Sequence, residues 1–111
     1  MGERGLAKKV VKFGMTERRA LQLIRSAANE TSRVEWSQHA TKRMRQRKVS
    51  MTQVLRVLKT GGIIEGPYED LKTGHWKCKL TQFTAGDDVS VVIAIEKDED
   101  LTPIIVVTAM E

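Results

Sequence analysis

The sequence contains a single cysteine, Cys78, and it lacks any long apolar run. One cysteine cannot form a disulfide within the chain, and this pattern fits a reducing compartment. No apolar run approaches the roughly 18 residues that are needed to span a bilayer. The N-terminus also has no uninterrupted apolar core of the signal-peptide type. We therefore expect a cytoplasmic protein that does not cross a membrane.

Internal repeats and low-complexity segments are also missing from the sequence. At 111 residues, the chain is long enough for one ordinary domain and too short for two. Its 41% hydrophobic and 30% charged residues are typical of a soluble globular protein. We expect residues 1–15 to form a flexible basic arm and residues 16–111 to form a single domain.

Acidic residues are scarce in the first half of the chain. Residues 1–59 contain 15 Lys or Arg against 4 Asp or Glu, a charge of +11, whereas residues 60–111 contain 4 against 10, a charge of −6. The field of such a chain attracts a polyanion to one side. The asymmetry indicates nucleic acid as the first candidate partner and an acidic protein as the second.

Capping patterns predict three helices in the first half of the chain. Thr16 can cap a helix that runs to about Ala28, and Ser37 can cap a second helix. Ser50 and Gln53 have the form of a capping box that starts a third helix. We expect this helix to stop at residues 61–62, where glycine can adopt the left-handed conformation, and to direct four residues inward: Met51, Val54, Leu55 and Leu58.

Four strands are predicted after residue 62, because the hydrophobic period changes there. They cover Ile63–Ile64, His75–Phe83, Val89–Glu96 and Ile104–Met110. The last two are apolar on both faces and should lie centrally in the sheet. Val34 and Trp36 indicate only a short extended entry to the second helix. The expected fold is α+β, with three N-terminal helices followed by a four-stranded antiparallel sheet with helices on one face.

The basic segment WSQHATKRMRQRK lies on the second predicted helix. Five of its seven residues from Lys42 to Lys48 are basic. At about 100° per residue, His39, Arg43 and Arg47 form one ridge, bordered by a narrow apolar stripe of Ala40 and Met44. We expect the ridge to lie partly desolvated near the sheet, while Lys42 and Arg45 point to solvent on the far side.

The chemistry of this ridge suits a phosphodiester. Arginine binds two phosphate oxygens at once and keeps its charge at any working pH. Histidine titrates near neutrality in general and can transfer protons. Together they provide what RNA cleavage by the neighbouring 2′-hydroxyl requires, namely a proton carrier and positive charge at the phosphorane. Lys77 and Lys79 lie on the polar face of a predicted strand and could bind the RNA backbone beyond the ridge. Lys42 and Arg45 are further candidates for RNA binding.

Other interpretations stay open at this point. A basic helix is more often a solvated face than a catalytic one. In the alternative interpretation His39 has a purely structural role, in which it satisfies a buried polar group near a helix start. His75 and Cys78 lie three residues apart on a strand, hence on opposite faces, so we expect no metal site and no cofactor. Cys78 alternates with Trp76 and is most simply a core residue.

The order of several short motifs resembles a family of small bacterial domains of unknown function. The main motif, S-x-H-A-x-x-R-M-x-x-R, begins at Ser37 and ends at Arg47. It is followed by V-S-x-x-x-V, G-x-I-x-E-G-P, G-x-W-K-C, T-A-G-D and I-V-V-T, which lie at residues 49–54, 61–67, 74–78, 84–87 and 105–108. The resemblance extends over nearly the whole chain from Thr16.

The resemblance implies a fold and an activity. Such domains are grouped by fold with the barnase, colicin and RelE-type ribonucleases, including toxins of toxin–antitoxin pairs. The positions expected in the active site are then His39, Arg43 and Arg47, with Thr108 as a further candidate. An acidic antitoxin would be the protein partner. This sequence departs from the family pattern at Lys48, where a glycine is often found.

Two functional hypotheses follow from the sequence. The first is a metal-independent RNA endonuclease of toxin type, in which His39 transfers a proton while Arg43 and Arg47 stabilise the phosphorane. The second is a non-catalytic module that binds nucleic acid or protein through the same ridge. The pH dependence of any activity would distinguish them, because only the first requires a titrating histidine.

Overall fold

The computed structural model describes residues 14–84 and 87–111 of the chain. Most of the predicted arm, residues 1–13, lies outside these ranges, while Met15 packs against the core. Three α-helices, a 3₁₀ turn at Thr31–Arg33 and five strands make up the described fold. The helices are α1 (Glu17–Ala28), α2 (Gln38–Arg47) and α3 (Met51–Thr60), and the strands are β1 (Val34–Trp36), β2 (Gly62–Glu69), β3 (Trp76–Thr84), β4 (Asp87–Lys97) and β5 (Pro103–Met110). No helix in the described ranges is long and apolar enough to cross a bilayer.

The three helix starts are confirmed, each by a side-chain cap. The Arg19 N–H donates to Thr16 Oγ1 at 3.0 Å, and the Ala40 N–H donates to Ser37 Oγ at 3.0 Å. At the third start, the Gln53 N–H donates to Ser50 Oγ and the Ser50 N–H donates to Gln53 Oε1, so the capping box is complete. These contacts satisfy N–H groups that the first turn of a helix leaves without partners.

The end of α3 differs from its prediction. The helix stops before Gly61 as expected, but Gly61 has φ −73° and ψ 172°, which is extended rather than left-handed. Glycine is needed there for space, because a Cβ would lie 2.7 Å from the carbonyl oxygens of Val57 and Thr81. Val54 and Leu58 are fully buried, but Met51 is 49% exposed, so its inward placement was wrong.

The predicted four-stranded antiparallel sheet is wrong. Within the described ranges the sheet has five strands in the order β1-β5-β4-β3-β2, and β1 pairs parallel to β5. The short entry at Val34 is therefore a strand, with Val34 opposite Ile105 and Trp36 opposite Val107. Since β1 lies between α1 and α2, the helices do not all precede the sheet. β2 is also longer than predicted, because it continues through Glu69.

One face of the sheet carries the core. β4 and β5 are both interior strands, as their apolar sequences predicted. Cys78 and Leu80 are fully buried and belong to the same apolar cluster as Ala40 and Met44 of α2. Because side chains alternate along a strand, Lys77 must point to the opposite face of the sheet. The helices and the lysines of β3 therefore lie on different sides of the molecule.

Candidate functional site

Hydrogen bonds from the backbone and from the side chain of Ser37 connect the start of α2 to β5. The Ser37 N–H donates to the Val107 carbonyl at 3.0 Å, as the continuation of the parallel β1–β5 pair. The Ser37 hydroxyl donates to the Thr108 carbonyl at 2.9 Å and accepts from the Ala40 N–H. One side chain thus caps the helix and connects it to the sheet, so the first turn of α2, including His39, has a defined position.

Buried apolar contacts set the rotation of α2 about its axis. Ala40 and Met44, the predicted apolar stripe, are 0% and 5% exposed. The helix ends at Arg47, and the cap residue Lys48 adopts the left-handed conformation with φ 56° and ψ 42°. The Lys48 and Val49 N–H groups donate to carbonyls of the last turn. With this stripe buried, the polar side of α2 faces solvent.

A shallow surface cavity of about 160 Å³ lies on that polar side. It is lined by His39, Lys42, Arg43 and Gln46. All four side chains are exposed, and Arg43 donates to Gln46 Oε1 at 3.4 Å. An imidazole, an ammonium and a guanidinium therefore converge on one opening beside an amide. Such a set of donors is suited to an anion with several oxygen acceptors.

The cavity differs from the predicted site in three details. His39 and Arg43 were expected to be partly desolvated near the sheet, but both are exposed. Lys42 was expected on the far side of the helix, yet it lines the same cavity. Gln46 was missed altogether. The spacing i, i+3, i+4 and i+7 from His39 is the sequence signal for this group, because such residues share one face of a helix.

The remaining candidates on α2 and β5 lie elsewhere. Arg47 is half-buried and Arg45 is exposed, and neither lines the cavity. The Thr108 hydroxyl donates to the Val92 carbonyl at 3.1 Å, across the β4–β5 pair. Its carbonyl accepts from Ser37. The contacts of Thr108 therefore position the start of α2, and its hydroxyl proton is engaged within the sheet.

Lys77 and Lys79 each have acidic partners on the face of the sheet away from the helices. Lys77 Nζ lies 2.9 Å from Asp70 Oδ2, and Lys79 Nζ contacts the Glu111 carboxylate and lies 3.9 Å from that of Glu65. These hydrogen bonds raise the pKa of both lysines and lower the pKa of Asp70. The structure therefore does not bring these lysines together with the α2 residues, and local carboxylates offset their charge.

His75 and Cys78 occupy different environments. His75 Nδ1 lies 3.5 Å from Glu96 Oε2, and both side chains are partly exposed. Cys78 is fully buried, and desolvation raises the pKa of its thiol to about 11. Nowhere in the described ranges do three His, Cys, Asp or Glu side chains form a group that could hold a metal ion.

Comparison with known proteins identifies a family without an assigned activity. The model of the family described as Domain of unknown function (DUF4258) matches residues 36–111. This match includes Trp36, the last residue of β1, together with all of α2 and α3 and the strands that follow. The chain therefore belongs to this family. No curated protein and no solved structure matches the chain.

Proposed function

We propose that this member of the DUF4258 family binds RNA through α2 and cleaves it without a metal ion. One observation carries the proposal: the side chains of His39, Lys42 and Arg43 line the same surface cavity. The chain also concentrates positive charge in its first 59 residues. This positive charge attracts a phosphodiester backbone toward α2.

The cavity is better suited to a backbone phosphate than to an enclosed small molecule. Its volume is only about 160 Å³, and its lining side chains are exposed. Arg43 can engage two phosphate oxygens in a bidentate way, while Lys42 supplies a second positive charge. The position of His39 in the first turn of α2 adds the positive end of the helix dipole.

The proposed reaction is attack of a 2′-hydroxyl on the adjacent phosphorus. His39 accepts the hydroxyl proton as the new P–O bond forms, and the bond from phosphorus to the 5′-oxygen breaks. The leaving 5′-oxygen takes up a proton from the ammonium group of Lys42, which lines the same cavity. Arg43 offsets the negative charge that builds up on the phosphorane. The products are a 2′,3′-cyclic phosphate and a free 5′-hydroxyl.

The test is cleavage of a mixed RNA in EDTA, with analysis of the ends formed. Wild-type protein should give cyclic phosphate ends. His39→Ala should lower the rate about 10²- to 10⁴-fold, the usual contribution of a proton-transfer group. Arg43→Ala should lower it about 10²- to 10³-fold, as expected for a removed stabiliser of developing charge. The same reactions are repeated with ribosomes added.

Arg56→Ala is the matched control. Arg56 is an exposed arginine of α3 that does not line the cavity, so its loss removes the same charge without touching the site. The proposal of cleavage is wrong if wild type cleaves no RNA, or if His39→Ala and Arg43→Ala cleave as fast as Arg56→Ala.

A non-catalytic RNA-binding module is the second candidate, and two features of the site favour it. The lining of the cavity contains no carboxylate, and the Thr108 hydroxyl is engaged with Val92. In this case Arg43→Ala should weaken binding of single-stranded RNA. The slope of log K against the logarithm of the salt concentration should become about 0.7 less steep. His39→Ala should have little effect on binding.

The same surface is the proposed docking site of an acidic protein partner. A negatively charged segment over α2 would contact Lys42 and Arg43 and would exclude RNA. Such a partner should therefore compete with RNA for the wild-type protein, and Arg43→Ala should weaken both interactions. Binding of the partner that is insensitive to this variant would place its docking site elsewhere.

A further inference from the structure

A second, larger cavity lies at the opposite end of the sheet from the start of α2. It has a volume of about 540 Å³ and is formed between α1 and the ends of three strands, β3, β4 and β5. Small-molecule sites in proteins usually have volumes of about 300–1,000 Å³. The cavity is therefore large enough to enclose most of a ligand with one or two rings.

Its inner wall is apolar and includes an aromatic ring. The lining includes Leu23 of α1, Trp76 of β3 and Ile95 of β4. Trp76 and Ile95 are paired neighbours in the sheet, so their relative position is fixed by the β3–β4 ladder. The side chain of Trp76 is half-buried, so part of its indole ring remains accessible for contact with another ring.

The rim of the cavity is polar and carries a net positive charge. Arg19 on α1 and Lys97 at the end of β4 supply two cations, both exposed. Glu96 supplies one anion, whose carboxylate lies 3.5 Å from His75 Nδ1. Arg19, Lys97 and Glu96 together give the lining residues a formal charge of +1. This complements a ligand with a single negative charge.

We propose that this cavity binds a small aromatic monoanion, such as an aromatic carboxylate. The aromatic part stacks on Trp76 against Leu23, and the anionic group lies at the rim beside Arg19 and Lys97. Apolar walls with a few convergent polar groups are the usual composition of a ligand site.

The site is separate from the one on α2. Pro103 lines the cavity, whereas α2 begins beside Thr108, five residues further along β5. At about 3.4 Å per residue, the two points are roughly 17 Å apart. α1, which supplies Arg19 and Leu23, also lies outside the part of the chain that matches the family. This proposal therefore does not depend on the proposed RNA chemistry.

Fluorescence of the full chain provides the test. The protein has two tryptophans, so Trp36→Phe leaves Trp76 as the only tryptophan, which is excited selectively at the red edge of protein absorption. The probe is the aromatic sulfonate 1-anilinonaphthalene-8-sulfonate, whose single charge stands in for a carboxylate. N-phenyl-1-naphthylamine, which has a similar aromatic body and no charge, is the matched ligand. Energy transfer from Trp76 shows that the probe is bound close to this tryptophan, and the Arg19 variant tests whether it lies in the cavity.

Two variants of α1 separate charge from apolar contact. Arg19→Gln should weaken binding of the sulfonate about 2- to 5-fold, the range expected for an exposed ion pair, and should leave binding of the neutral probe unchanged. Arg18→Gln is the control, because Arg18 is exposed on the same helix and does not line the cavity. That variant should bind both probes like the parent protein.

Either of two results would overturn the proposal. One is the absence of energy transfer from Trp76 in the folded Trp36→Phe protein. The other is transfer with the same sulfonate affinity in Arg19→Gln and Arg18→Gln, which would indicate a nonspecific apolar surface. Far-ultraviolet circular dichroism of each variant confirms that the comparison is made on folded protein.

Discussion

Replacing Gly61 with alanine should destabilise the fold at the junction of α3 and β2. A Cβ at this position would lie 2.7 Å from the Val57 carbonyl oxygen, 2.7 Å from the Thr81 carbonyl oxygen and 3.1 Å from Val57 Cγ1. The two nearest atoms belong to the backbones of α3 and β3, so neither can move away as a flexible side chain would. The expected strain comes from crowding, because the φ of Gly61 is negative.

The surrounding hydrogen bonds leave Gly61 little freedom to move. Its N–H donates to the Val57 carbonyl at 2.7 Å, and its carbonyl accepts from Arg25 Nη2 at 3.0 Å. Arg25 also donates to the Leu58 carbonyl, which fixes the last turn of α3 against α1. Insertion of a methyl group into a packed site costs about 1–3 kcal/mol. We expect a loss of this size, and each kcal/mol should lower Tm by roughly 4–8 °C.

Gly62→Ala is the control for this experiment. A Cβ on Gly62 would meet no atom within 4 Å, and the residue lies at the exposed start of β2. The substitution should be neutral or stabilise the protein by about 0.4–1 kcal/mol through the unfolded state. Urea unfolding of both variants gives the difference in free energy. The reasoning is refuted if Gly61→Ala is as stable as Gly62→Ala.

Two further predictions concern stability. Lys48→Gly should stabilise the protein by about 1 kcal/mol or less in urea unfolding, because Lys48 has φ 56°, and Lys48→Ala should not, since any residue with a Cβ keeps the strain. The Asp70–Lys77 pair should stabilise the protein only between the acid and alkaline extremes of pH. The pKa of Asp70 is lowered from 3.8, so its contribution is lost as pH falls below that value. The pKa of Lys77 is raised from 10.5, so its contribution is lost as pH rises above that value. Thermal unfolding of wild type and Asp70→Asn should therefore differ near neutrality and converge as pH falls and Asp70 becomes protonated. A difference that does not shrink as pH falls from 3.8 would contradict this assignment.

Local hydrogen bonds explain why the helix starts were predictable. The caps at Thr16, Ser37 and Ser50 each join atoms only three residues apart. The chemistry that starts each helix is therefore contained in a four-residue window. The buried faces of α2 and β3 were predictable for a similar reason, because alternation and helical spacing are properties of the segment itself.

Long-range contacts explain what the sequence did not reveal. β1 has only three residues, and its pairing with Ile105–Val107 joins segments about 70 residues apart, so nothing within Val34–Trp36 specifies a parallel partner. The role of Gly61 likewise depends on the Thr81 carbonyl of β3, which no local pattern places nearby. The family resemblance indicated Thr108 as a candidate, but its bonds to Ser37 and Val92 require the assembled sheet.

Lys42 and Arg45 of α2 can be compared directly, because the same orientation was predicted for both. Lys42 and Arg45 were both expected to point away from the His39 ridge, yet only Lys42 lines the cavity. At about 100° per residue, Lys42 lies about 60° from His39, whereas Arg45 lies about 120° away on the same side. If the cavity binds a phosphate, Lys42→Gln should weaken binding of single-stranded RNA and reduce its salt slope by about 0.7, while Arg45→Gln should change both much less. Both substitutions remove one charge from an exposed position of the same helix, so a general effect of net charge would lower affinity equally. Equal losses in the two variants would show that α2 attracts RNA only through its overall charge, and would remove the main support for a defined site at His39.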